Sequence, residues 1–65
     1  MEDNPIYESY SRLERIIMDS TLDAGKFVNG NNSAGTRVRK AMQEVKRIAQ
    51  EIRLEVQEQK SSVPV

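Results

Sequence analysis

The chain has 65 residues, with ten Lys or Arg balanced by ten Asp or Glu, and neither cysteine nor histidine. That excludes disulfide staples, thiolate chemistry and the commonest metal ligand and neutral-pH acid–base. A domain this short is marginal alone, and the remaining staple is self-association, so a homo-oligomer is expected.

The first element starts at Asn4-Pro5. Asn caps the free amides of a helix start, and Pro at the first helical position loses no hydrogen bond. Ile6, Tyr10, Leu13, Ile17, Ser20, Ala24 and Phe27 then follow steps of four and three, which predicts an amphipathic helix over about 5–28 with Ser20 its weak point. Ile16, Met18 and Leu22 lie off that seam. Met18 and Leu22, one turn apart and roughly opposite it, are either a second contact surface or scattered surface apolars. A turn over 29–33 follows, where Gly30 and the asparagines tolerate a left-handed backbone, and Asn32 or Ser33 is placed to cap the next helix.

The second helix is predicted over about 34–60, with Val38, Ala41, Val45, Ile48 and Ile52 as its seam and Met42, Ala49 and Val56 widening it. The segment 61–65 reads as a disordered tail. A short connection between two long helices favours an antiparallel hairpin. The expected fold is therefore all-α: one hairpin domain over 1–60, assembling into a homo-oligomeric helical bundle. No apolar run approaches the ~20 residues of a membrane span, so no membrane partner is expected. The acidic opening Met1-Glu2-Asp3-Asn4 does not start a signal peptide, and a cytoplasmic protein is expected. Asn31-Asn32-Ser33 matches a glycosylation acceptor, a triplet common by chance.

Charge on the second helix is sorted. With Val38 and Val45 at heptad position a, Arg39, Lys46, Arg53 and Lys60 fall seven residues apart at b, and Lys40 and Arg47 at c. Two turns of helix take about 7.2 residues, so each column forms one stripe. Gln43, Gln50 and Gln57 lie between the columns; the arc holds no acid, and Leu54 interrupts it. Glu44, Glu51 and Glu58 share column g with Arg37, and Glu55 is at d. One reading is a solvated face with pairs such as Lys40/Glu44 and Arg47/Glu51, in the less favourable order. The other is an anion-binding surface. Arg37, Arg39 and Lys40 lie in the first turns, where cations oppose the helix dipole and free amides attract phosphate.

Gly30-Asn31-Asn32-Ser33-Ala34-Gly35-Thr36-Arg37-Val38-Arg39-Lys40-Ala41 resembles the core of the chlamydial-type histone-like proteins, small bacterial nucleoid proteins named for their likeness to linker histone. In their short members a Gly-Asn turn precedes Ala-Gly-Thr-Arg-x-Arg-Lys-Ala and a helix rich in Glu, Lys and aliphatic residues. The likeness covers roughly 30–59. It implies DNA binding and compaction in a nucleoid, with Thr36, Arg37, Arg39 and Lys40 at the motif positions. The best-known members add a long Lys/Ala-rich tail. Here 61–65 has no charged side chain, so the short form would rely on its helical core. Gly35 either admits a phosphate or another backbone closely, or serves tight packing at the turn.

The expected function is non-specific, architectural DNA binding through Thr36, Arg37, Arg39, Lys40, Lys46, Arg47 and Arg53, with DNA and a second copy of the chain as partners. The alternative is an oligomerisation or protein-interaction module, in which the basic arc of one subunit meets the acidic first helix of another. An enzyme is not expected: no phosphate-binding loop is present, Ser and Thr lack a base, and the carboxylates are dispersed. No catalytic residue, cofactor, metal or small-molecule substrate is expected.

Overall fold

The computed structural model describes residues 4–62. They form two helices, α1 (Pro5–Val28) and α2 (Asn32–Ser62), packed against each other as an antiparallel hairpin. The described residues contain no strand. The molecule is a slab of 53 × 22 × 12 Å, one helix layer thick.

Asn4 caps α1 as expected: its backbone is extended, and its Oδ1 accepts the Ile6 amide at 3.0 Å ahead of Pro5. The helix ends in a Schellman turn. The Asn31 amide donates to the Lys26 carbonyl at 3.0 Å and the Gly30 amide to the Phe27 carbonyl at 2.9 Å. Gly30 supplies the left-handed residue this requires, at φ +105°, and no other described residue has positive φ. The cap of α2 is Asn31, whose Oδ1 accepts the Ala34 amide at 3.1 Å. Asn32 and Ser33, the expected caps, lie inside the first turn. At its other end α2 continues through Ser62, so Ser61 and Ser62 are helical and not tail. The rest of the expected tail, 63–65, lies outside the described residues.

The α2 seam is the expected one. Ile48 and Ala34 are fully buried, and Val38, Ala41, Val45 and Ile52 are half-buried along the same stripe. The α1 seam differs. Ile6, Leu13 and Ser20 face α2, but the positions between them are Ser9, Ile16 and Asp23; the expected Tyr10, Ile17 and Ala24 are exposed. Both stripes share Ile6, Leu13, Ser20 and Phe27 and differ by one position at every second contact. Apolar content favoured Tyr10, Ile17 and Ala24. A helix facing a single partner, however, covers only a narrow a/d stripe. Ser20, the polar member of that stripe, satisfies its hydroxyl by donating to the Ile17 carbonyl at 3.1 Å. Met18 and Leu22 are both 73 % exposed.

Polar contacts set the register. At the open end, Asn4 Nδ2 donates to Gln59 Oε1 at 2.9 Å and Gln59 Nε2 returns a bond to Asn4 Oδ1 at 2.8 Å. Further in, Arg12 pairs with Glu51 at 3.2 Å. Near the turn, Arg37 Nε donates to Asp23 Oδ1 at 3.0 Å.

Candidate nucleic-acid interface

Because α2 is one uninterrupted helix, its heptad columns become physical stripes. Arg39, Lys46, Arg53 and Lys60 all lie within it and all are exposed. At ~1.5 Å per residue the column spans roughly 32 Å, close to the ~34 Å of one duplex turn. Lys40 and Arg47 are exposed on the neighbouring column, with Gln43, Gln50 and Gln57 between. Leu54, 55 % exposed, is the arc's one apolar break.

The ion pairs divide the expected contact residues into two groups. Among the described residues Arg37 is tied to Asp23 and Arg47 to Glu44. Arg39, Lys40, Lys46 and Arg53 make no ion pair with any described residue. The helical pairs read from the sequence, Lys40/Glu44 and Arg47/Glu51, do not form: Glu44 reaches forward to Arg47, and Glu51 crosses to Arg12 on α1. Such exposed pairs contribute about 0–1 kcal/mol each, so Arg37 and Arg47 are occupied but not locked away.

The start of α2 has no acidic residue in its first turn, as the sequence indicated. Its charge strain is relieved from the other helix. Asp23, fourteen residues earlier in the chain, reaches Arg37 and offsets the cation nearest the positive end of the dipole. Arg39 and Lys40, one step further along, receive no such partner. Thr36 is exposed beside them and shares a shallow surface groove with Val38, Arg39, Lys40, Met42, Gln43 and Lys46.

Gly35 has a structural role. A Cβ on it would lie 2.6 Å from Cδ1 and 2.8 Å from Cε1 of Phe27. The aromatic ring lies over the glycine and closes the turn end of the hairpin. Of the two roles open to this residue, tight packing is the one the geometry shows.

Lys60 is exposed on the same column but was left out of the expected contact residues, at the point where the helix was expected to end. Its signal was already in the seven-residue spacing, which it completes. The exposed glutamines of the arc were also passed over, although side-chain amides commonly donate to phosphate oxygens.

The family model described as Histone H1-like protein Hc1 matches residues 7–62. The chain belongs to this histone H1-like family. The match spans both helices and the turn, so α1, which carried no recognisable signature, is part of the family's domain. This is a family of DNA-binding, architectural nucleoid proteins and not of enzymes. Searches of curated proteins and of solved structures returned no match. No described helix of this family member is long and apolar enough to cross a membrane.

Proposed function

We propose that the chain binds DNA without sequence preference, by contacts from the basic arc of α2 to the phosphate backbone, as a nucleoid-associated protein of the cytoplasm. The observation that carries this reading is the row of exposed, unpaired cations Arg39, Lys46 and Arg53 with Lys40 beside Arg39. A straight column of cations, one duplex turn long when Lys60 is included, suits a surface that carries one negative charge per ~1.7 Å. Lys60, Thr36 and the arc glutamines extend the contact. Arg37 and Arg47 take part only after exchanging a carboxylate for a phosphate.

The test is fluorescence anisotropy of a mixed-sequence duplex titrated at several salt concentrations. Three to four phosphate contacts predict a log–log slope of about −3 to −4. Arg39→Gln, Lys46→Gln and Arg53→Gln should each reduce the slope by about 1 and weaken all sequences alike. Arg37→Gln should move the slope less, because Asp23 already engages that guanidinium. Absence of binding at low salt with protein on the order of 100 μM, the weak end of ordinary non-specific affinity, would defeat the proposal.

A further inference from the structure

The basic arc of α2 repeats a three-part unit every seven residues. Arg39-Lys40 is followed by Gln43, and Lys46-Arg47 by Gln50. Consecutive residues stand about 100° apart on a helix of ~3.6 residues per turn, so each cation pair splits into two columns and the glutamine that follows falls between them. Thr36 holds the glutamine position one repeat earlier. The outer face of α2, opposite the seam that packs on α1, is thus a ridge of uncharged hydrogen-bonding groups: Thr36, Gln43 and Gln50. On one side of it stands a wall of Arg39 and Lys46, on the other a wall of Lys40 and Arg47, and all of these side chains are exposed. The repeat breaks after Gln50. The next residue of the second wall is Leu54, and Glu58 shares its surface.

We infer that the first half of this outer face enters the major groove of duplex DNA, with Thr36, Gln43 and Gln50 toward the base edges and the two walls on opposite phosphate strands. This placement rests on the proposed DNA binding and says where on the duplex the helix sits. A helix laid across one strand uses one column of cations. Two columns set apart by a neutral strip match a groove, which has two phosphate walls and a floor of base edges. Size selects the groove. A helix with its side chains is ~10–12 Å across, whereas the major groove is ~12 Å wide and the minor groove ~6 Å. The slab is 12 Å thick and presents α2 along one long edge with α1 behind it, so no described element obstructs entry. Length agrees as well. Thr36 to Gln50 spans about 21 Å, roughly six base pairs at ~3.4 Å each. Beyond that a straight helix leaves a curving groove. There the second wall gives way to Leu54 and Glu58, while Arg53 and Lys60 continue the first along one strand. Arg47 joins its wall by leaving Glu44. The floor contacts suit any sequence. A glutamine amide carries both donors and an acceptor, and every base pair presents both kinds of partner in the major groove.

The test compares three forms of one mixed-sequence duplex that contains an A·T tract. One is unmodified. One carries glucosylated 5-hydroxymethylcytosine in place of cytosine, which fills the major groove. One carries netropsin on the A·T tract, which fills the minor groove. Filling the major groove should flatten the log–log salt slope by about 1–2 and weaken binding about tenfold or more at ~0.1 M salt, because Lys40 and Arg47 lose their strand. Netropsin should change neither. Lys40→Gln should lower the slope by about 1 on the unmodified duplex and leave it unchanged on the major-groove-filled one, whereas Lys46→Gln should lower it by about 1 on both. Both substitutions replace exposed side chains that make no ion pair with a described residue, and circular dichroism verifies that the helices are intact. At saturation, guanine N7 on the major-groove edge should be protected from dimethyl sulfate and adenine N3 on the minor-groove edge should not. Equal affinity for the unmodified and major-groove-filled duplexes, with guanine N7 open, would overturn the groove placement and leave backbone binding standing. Competition by netropsin with protection of adenine N3 would overturn it in favour of the minor groove. Failure to bind the unmodified duplex at low salt would bring down DNA binding itself, and the groove placement with it.

Discussion

The two ends of the hairpin are closed by different physics. At the turn end, Gly30 takes a backbone conformation that other residues avoid, Asn31 caps α2, Ala34 is fully buried, and Gly35 lies under the ring of Phe27. At the open end the helices are joined by a reciprocal amide pair, Asn4 with Gln59, and by the exposed Arg12–Glu51 pair. The turn end depends on the absence of atoms and on backbone geometry, so it tolerates little. The open end depends on polar contacts that water can replace in part. The comparison also divides the motif that carried the family resemblance. Ala34, Gly35 and Arg37 build the turn end; Arg39 and Lys40 are exposed and form no ion pair with a described residue.

The largest effect is expected where that difference is greatest. Gly35→Ala places a methyl group against the Cδ1–Cε1 edge of the Phe27 ring, a clash that outweighs the helix-propensity gain and should lower stability by about 1–2 kcal/mol net, read from urea denaturation midpoints. The same change in a Phe27→Ala background should cost much less, because the obstructing ring is gone. An equal cost in both backgrounds would mean that the ring does not set the requirement.

A smaller loss is expected from the open end. Asn4→Ala removes a helix cap worth about 1 kcal/mol together with both bonds exchanged with Gln59. Hydrogen exchange should show the loss as fraying confined to the first turn of α1 and the last turn of α2. Fraying that reached the turn end would show that the two ends are not independent.

The smallest effect has the opposite sign. Gly25 lies inside α1, exposed, with nothing within 4 Å of a Cβ built on it. Gly25→Ala should therefore gain about 0.5–1 kcal/mol through helix propensity. A loss at Gly25 would mean that the glycine is needed for a contact outside the hairpin.

Much of the fold was legible because the decisive signals are local. Asn4-Pro5 marks the start of α1 through capping chemistry that involves only its own first turn. Gly30 marks its end through a backbone requirement of a single residue. The seam of α2 was legible as well, since Val38, Ala41, Val45, Ile48 and Ile52 follow one another in steps of three and four. The seam of α1 was not, because Tyr10, Ile17 and Ala24 are more apolar than Ser9, Ile16 and Asp23. Hydrophobicity ranks stripes by content, but a two-helix contact selects by rotation. The exposed column of Arg39, Lys46 and Arg53 was legible from spacing alone. The engagement of Arg37 was not, because its partner Asp23 lies on the other helix and approaches only through the turn.

Periodicity, caps and turn chemistry were thus enough to specify two helices, their approximate bounds, one antiparallel reversal and a basic column on α2. Each of these follows from interactions within a few residues, which the order of the amino acids states directly. Folding in three dimensions settled the rest: which half of the wide apolar arc on α1 is buried, which of the described cations enter ion pairs, and why Gly35 has no side chain. Those outcomes depend on how far one helix is rotated and how closely it approaches its neighbour, and neither helix encodes that distance alone.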